Sequence, residues 1–163
     1  MIAMRVGMTS TEYLYQLADR ENIAIEYKAL PVDWLGVYIH LGDMCGPYIG
    51  LSELLARDER QERCVIAHEL GHHFTTVGYT VAANSPTVGY HICRAERIAN
   101  DYAVDLLVPA ARFLEGVYRR YTMDELADAF YVVPEFIQYR AMKIYRNGLR
   151  CSEIRNLCRK MSK

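Results

Sequence analysis

His68-Glu69-Leu70-Gly71-His72 brings two imidazoles and a carboxylate together at a spacing that suits a catalytic metal ion. Residues four apart on a helix share a face, so His68 and His72 can reach one ion. Imidazole nitrogen and carboxylate oxygen are the donors zinc prefers after thiolate. Glu69 follows the first imidazole, where it can hold a water at that ion and take its proton. The competing reading is a helix with surface histidines. The flanks support the helix itself: Glu59 to Thr75 contains no proline and one glycine, and Cys64, Val65, Ile66, Ala67, Leu70 and Phe74 supply an apolar stripe.

Two histidines do not complete a catalytic zinc site, which takes three protein ligands and leaves one position for water. An extended motif of the metzincin type needs glycine at position 75 and histidine at 78; Thr75 and Gly78 exclude that class. Glu96, 24 residues beyond His72 on the next helix, suits a third ligand from a two-helix site, with Asp101 and Asp105 as fallbacks and His91 just ahead of that helix. Asn100 is one turn on from Glu96, where it could orient a ligand. Cys64, one turn before His68, reads as a buried small side chain, because a thiolate there would close the open position. His73 points away from the His68/His72 face, and His40 ends a strand as a structural residue. Tyr79, Tyr90 and His91 flank the motif and are candidates to stabilise an oxyanion.

The elements that must position these groups follow from the local patterns. Thr9-Ser10-Thr11-Glu12 starts a helix that runs to about Asn22. The period then changes. Ile23–Tyr27, Gly36–His40 and Pro47–Leu51 are short, β-branched and aromatic, and turn residues separate them, which predicts a small, largely antiparallel sheet. Ser52 is placed to cap a helical turn before the motif helix. A polar loop spans Gly78 to Gly89, a second strong helix runs from about Cys93 to Leu107, and Pro109 stops it. Helices are expected over Ala110–Tyr118, Met123–Tyr131 and from Pro134 to about Arg146, with a last basic one over Ser152–Lys160. The fold class is therefore α+β: a small sheet packed on the motif helix, with a helical C-terminal half.

At 163 residues, one domain is expected, with 1–58 as helix plus sheet, 59–109 as the two metal-binding helices and 110–163 as the helical remainder. A composition of 52 % hydrophobic and 24 % charged residues is that of a globular chain and argues against disorder. No apolar run is long enough to span a bilayer, and the first residues lack the apolar stretch of a signal peptide. The five scattered cysteines then read as reduced thiols in a cytoplasmic protein. The net charge of −1 hides an asymmetry. Arg140 to Lys163 holds eight basic side chains against one acidic, while the other 139 residues hold eleven basic and nineteen acidic. That segment reads as a solvated helix face, with docking to an acidic partner or nucleic acid as the functional alternative.

Ala67-His68-Glu69-Leu70-Gly71-His72, followed by Glu96-Arg97-Ile98-Ala99-Asn100-Asp101-Tyr102-Ala103 and Leu106-Leu107-Val108-Pro109, resembles the ImmA/IrrE family of metallopeptidases. That family carries a zincin motif, then Glu-x-x-Ala-Asn-x-Phe-Ala and Leu-Leu-Met-Pro. Tyr102 stands where the family has Phe and Val108 where it has Met, both as packing changes. The likeness is strong from about Tyr48 to Pro109 and weaker outside. It implies a zincin-like fold, zinc held by His68, His72 and Glu96, and Glu69 as general base of an endopeptidase. It also implies a protein substrate, a helix-turn-helix repressor of a phage or mobile element, and the stand-alone form of the family. The alternative is an antirepressor that holds zinc and binds its repressor without cutting it. A nucleic-acid-binding regulator working through the basic C-terminus is a further rival, but direct nucleic-acid binding is not expected.

Overall fold

The computed structural model describes residues 9–40, 46–75, 86–148 and 154, with 86–93 as backbone. Helix α1 (Thr11–Arg20) starts where the Ser10 hydroxyl accepts the Tyr13 N–H at 3.1 Å, and it buries Leu14 and Ala18. Asn22 turns the chain through a left-handed conformation (φ 54°), which asparagine tolerates better than most residues. Three strands follow, β1 (Ala24–Lys28), β2 (Gly36–Ile39) and β3 (Tyr48–Ser52), in the spatial order β1-β3-β2.

This sheet is mixed rather than largely antiparallel: β2 pairs antiparallel with β3, but β1 pairs parallel with it. The turn residues between strands suggested neighbouring hairpins. Burial decided otherwise. Ile49 and Leu51 are fully covered and Ser52 nearly so, whereas β1 is mostly exposed and β2 half open, so β3 takes the centre. A parallel return needs a connection of a dozen or more residues, and the stretch from Lys28 to Tyr48, with β2 inside it, is long enough.

Ser52 then accepts the Leu54 N–H and opens a 3-10 turn over Glu53–Arg57, as its position in the sequence suggested. Helix α2 (Glu59–Thr75) begins with the Asp58 carboxylate accepting the Gln61 N–H at 3.0 Å. Cys64, Ile66, Ala67 and Leu70 fill the core beneath it. The buried Arg63 guanidinium donates to the Thr9 carbonyl, and Tyr15 donates to Glu62, which ties α2 to α1.

Helix α3 (Pro86–Leu107) starts earlier than the expected Cys93, taking in part of the predicted loop. Pro86 explains the position, since proline suits the first turn of a helix, where its missing N–H costs nothing. Thr9–Ala103 forms one compact unit, and the boundary with the second falls inside α3. The second unit takes in α4 (Ala110–Tyr118), α5 (Met123–Phe130) and α6 (Pro134–Arg146), with Phe113, Leu126, Phe130, Ile137 and Ala141 buried. Thr122 and Glu125 form a reciprocal capping box at the start of α5. The buried Arg140 of α6 reaches Asp105 at 2.8 Å and the Val104 carbonyl at 2.7 Å. The basic helix expected over Ser152–Lys160 lies outside the described residues, apart from Ile154, which is helical and buried. Among the described residues no helix is long and apolar enough to cross a membrane.

Candidate metal centre

One turn of α2 separates His68 from His72, and their rings meet edge to face with centroids 4.7 Å apart. The Nε2 atoms are 3.1 Å from one another. What they face is decided by the crossing of α2 with α3. A Cβ built on Gly71 would lie 2.6 Å from the Ala99 carbonyl oxygen and 2.9 Å from its Cα, both backbone atoms that cannot swing aside. Glycine inside a helix costs roughly 1 kcal/mol relative to alanine. Here it permits two helix backbones to touch. Ala99 lies between Glu96 and Asn100, so this contact brings both of those side chains to the histidines.

Glu96 reaches them with both oxygens, Oε2 at 3.1 Å from His68 Nε2 and Oε1 at 3.3 Å from His72 Nε2. Asn100 Oδ1 stands 3.0 Å from His68 Nδ1. Facing a carbonyl oxygen, Nδ1 carries the ring proton, so Nε2 of the neutral ring presents a lone pair. That lone pair points at a second imidazole nitrogen and a carboxylate. Three acceptors crowded together call for a cation between them. A tetrahedral zinc ion with ligands at about 2.0–2.1 Å separates neighbouring donors by roughly 3.3 Å, close to the spacing seen here. Among the described residues, His68, His72 and Glu96 are the group whose donor atoms lie close enough together to hold a metal ion, all within 4.8 Å.

The electrostatics match this crowding. Where a proton rather than a cation sits on Nε2, the hydrogen bonds that His68 and His72 then donate hold the Glu96 carboxyl far below the usual carboxylate range. Burial pulls the His68 imidazole down, but the Glu96 hydrogen bond, the Glu69 and Glu96 charges and Asn100 outweigh it and leave the ring above its ordinary value. Glu69 is almost fully buried, and burial raises its carboxyl against the opposing pull of the two histidines. The backbone N–H of Tyr38 also favours its charged form, and Glu69 stands outside the three-donor group.

The other sequence candidates lie elsewhere. Asp101 pairs with Arg97 along α3, and Asp105 with Arg140 and Lys143. Cys64 is buried and forms no disulfide. His73 turns off the metal-facing side, as expected, with Nδ1 2.9 Å from the Tyr38 hydroxyl and Nε2 3.5 Å from Glu21. His40 is exposed just past β2. Tyr79 and the side chains of Tyr90 and His91 lie outside the described residues. Tyr102 stacks on Phe74 at 5.3 Å, the packing role its place in the motif implied. Sequence reasoning passed over Gly71 as a helix-crossing residue; its position inside the five-residue motif was the available signal.

Asn100→Ala leaves the three-donor group intact but frees the His68 ring to rotate and change tautomer. Loss of such an outer partner costs about 10–100-fold in metal affinity. A competition titration with a chromophoric chelator measures it, and unchanged affinity refutes the orienting role.

A His-Glu-x-x-His helix whose third donor, a carboxylate, comes from the following helix is an arrangement of the metallopeptidase type. The family model of the IrrE N-terminal-like domain, a peptidase family, matches residues 19–142, and the chain belongs to that family. The match reaches from the end of α1 into α6, well beyond the stretch around the two motifs. No curated protein and no solved structure gives a significant match to the chain.

Proposed function

We propose that this protein is a zinc-dependent endopeptidase of the cytoplasm whose substrate is a helix-turn-helix repressor of a phage or mobile element. The observation that carries the reading is the convergence of two imidazole nitrogens and a carboxylate beside a buried carboxylate that is not one of them. His68, His72 and Glu96 hold the ion, and Asn100 fixes the tautomer and direction of His68. When bound, zinc supplies Lewis acidity, which makes water a nucleophile near neutral pH and polarises a carbonyl. Glu69 takes the proton of the attacking water and hands it to the leaving amine. Burial suits that exchange, because a carboxyl raised toward neutrality both accepts and releases a proton readily. The repressor as substrate rests on family membership alone.

The test is incubation of the purified protein with a helix-turn-helix repressor encoded beside it, followed by mass spectrometry. Discrete repressor fragments are expected, absent after chelation and restored by zinc. Stable binding without fragments supports the antirepressor reading instead. Fragments that persist through chelation overturn the metal mechanism.

A further inference from the structure

The residues 65, 69 and 73 form a second stripe on α2, one turn apart, beside the stripe that carries His68 and His72. Strand β2 lies along it. A Cβ built on Gly36 would sit 2.5 Å from Val65 Cγ1, 2.7 Å from Glu69 Oε1 and 3.1 Å from Glu69 Cγ. Two residues on, Tyr38 spans the wider gap to His73 through its hydroxyl. The strand therefore needs glycine where the Glu69 carboxylate lies and takes a large side chain one step further along the same face.

The backbone of β2 is equally specific. Ser52 N–H donates to the Leu35 carbonyl at 2.9 Å, and Gly36 pairs with Leu51 in the antiparallel register. Alternation along an antiparallel strand then commits Leu35, Val37 and Ile39 to β3, and turns the N–H groups of Gly36 and Tyr38 toward the open edge. The Glu69 carboxylate lies beside the strand at Gly36, and the Tyr38 N–H on that edge favours its charged form. An edge donor that would otherwise face solvent instead faces the carboxylate.

We propose that β2 positions the proposed general base: Gly36 leaves the space that the Glu69 carboxylate occupies, and the outward Tyr38 N–H fixes its direction. This rests on the peptidase reading for its consequence in catalysis, but not for its geometry. Gly36 and Tyr38 are positioning residues acting through Glu69.

Four proteins test it: the wild type, Val65→Ala, Gly36→Ala and the double variant Gly36→Ala/Val65→Ala. Val65→Ala removes the methyl nearest the new Cβ, so the double variant recovers the melting temperature and zinc content of Val65→Ala. The conflict with Glu69 remains, and kcat for repressor cleavage falls by about 10²-fold at little-changed KM, the scale of a misplaced catalytic group. A double variant that cleaves as fast as Val65→Ala overturns the proposal, as does a loss of activity that merely follows melting temperature. Amide hydrogen exchange supplies a readout independent of activity. The Tyr38 N–H should be protected in the wild type, and exchange faster in Glu69→Ala and in the double variant. An unprotected Tyr38 amide in the wild type refutes the geometry. A protected amide in a protein that cuts no repressor refutes the peptidase reading and leaves the geometry standing.

Discussion

Glu69→Gln is expected to keep its zinc and its fold while repressor cleavage falls by roughly 10²–10⁴-fold, the usual contribution of general acid–base catalysis. Three observations set this outcome apart from general damage. Glu69 is not among the three convergent donors, so the metal keeps its ligands. Glutamine has the same shape, and its amide oxygen can still face the Tyr38 N–H that favours the carboxylate now. Burial disfavours the charged carboxylate, so a neutral side chain lowers the desolvation cost and the melting temperature holds or rises. Metal content by atomic absorption, a melting curve and single-turnover cleavage read the three effects separately. Cleavage at the wild-type rate would sink the mechanism; loss of zinc would mean that Glu69 is itself a ligand.

Removal of the third donor should separate Glu96 from the neighbouring acidic residues. Glu96→Ala takes away the carboxylate that faces both Nε2 atoms, at 3.1 and 3.3 Å, and leaves two imidazoles to hold the ion. The loss of affinity should exceed the roughly 10–100-fold that an outer-shell partner costs. Asp101→Ala breaks an ion pair with Arg97 within α3, away from the two imidazoles, and should leave zinc affinity unchanged. Asp105→Ala has a different signature. It takes a partner from the buried Arg140 guanidinium, so the melting temperature falls while zinc affinity holds. Zinc titrations and melting curves of the three variants check the pattern. Loss of zinc in Asp101→Ala or Asp105→Ala, with Glu96→Ala unaffected, would overturn the ligand assignment.

The relation of His68 to His72 was legible in the sequence because it is local. Helix geometry alone puts residues four apart on one face, and an apolar stripe without proline specifies the helix. The caps at Ser10 and Ser52 were legible for the same reason, since each satisfies an N–H group two or three residues away. Glu96 stood on different ground. Spacing left Asp101, Asp105 and His91 open, and only the likeness of the Glu96–Ala103 segment to a known motif put Glu96 ahead.

The sheet shows where local patterns run out. Turn residues mark the ends of strands but carry no record of which strand lies beside which. The central place of β3 follows from Ile49 and Leu51 being covered and from the length of chain available for a parallel return. Neither is visible in a five-residue window.

By itself, then, the sequence determined the α+β class, the motif helix with two imidazoles on one face and the chemistry those donors favour. Each depends on neighbours within a turn or a strand. Tertiary structure decided which face of α3 meets them, through the backbone contact of Gly71 with Ala99, and how Glu69 is held, through the passage of Gly36 and Tyr38 along α2. Both depend on the absence of a Cβ where two distant segments touch. A glycine in a sequence records that freedom without naming the segment that uses it.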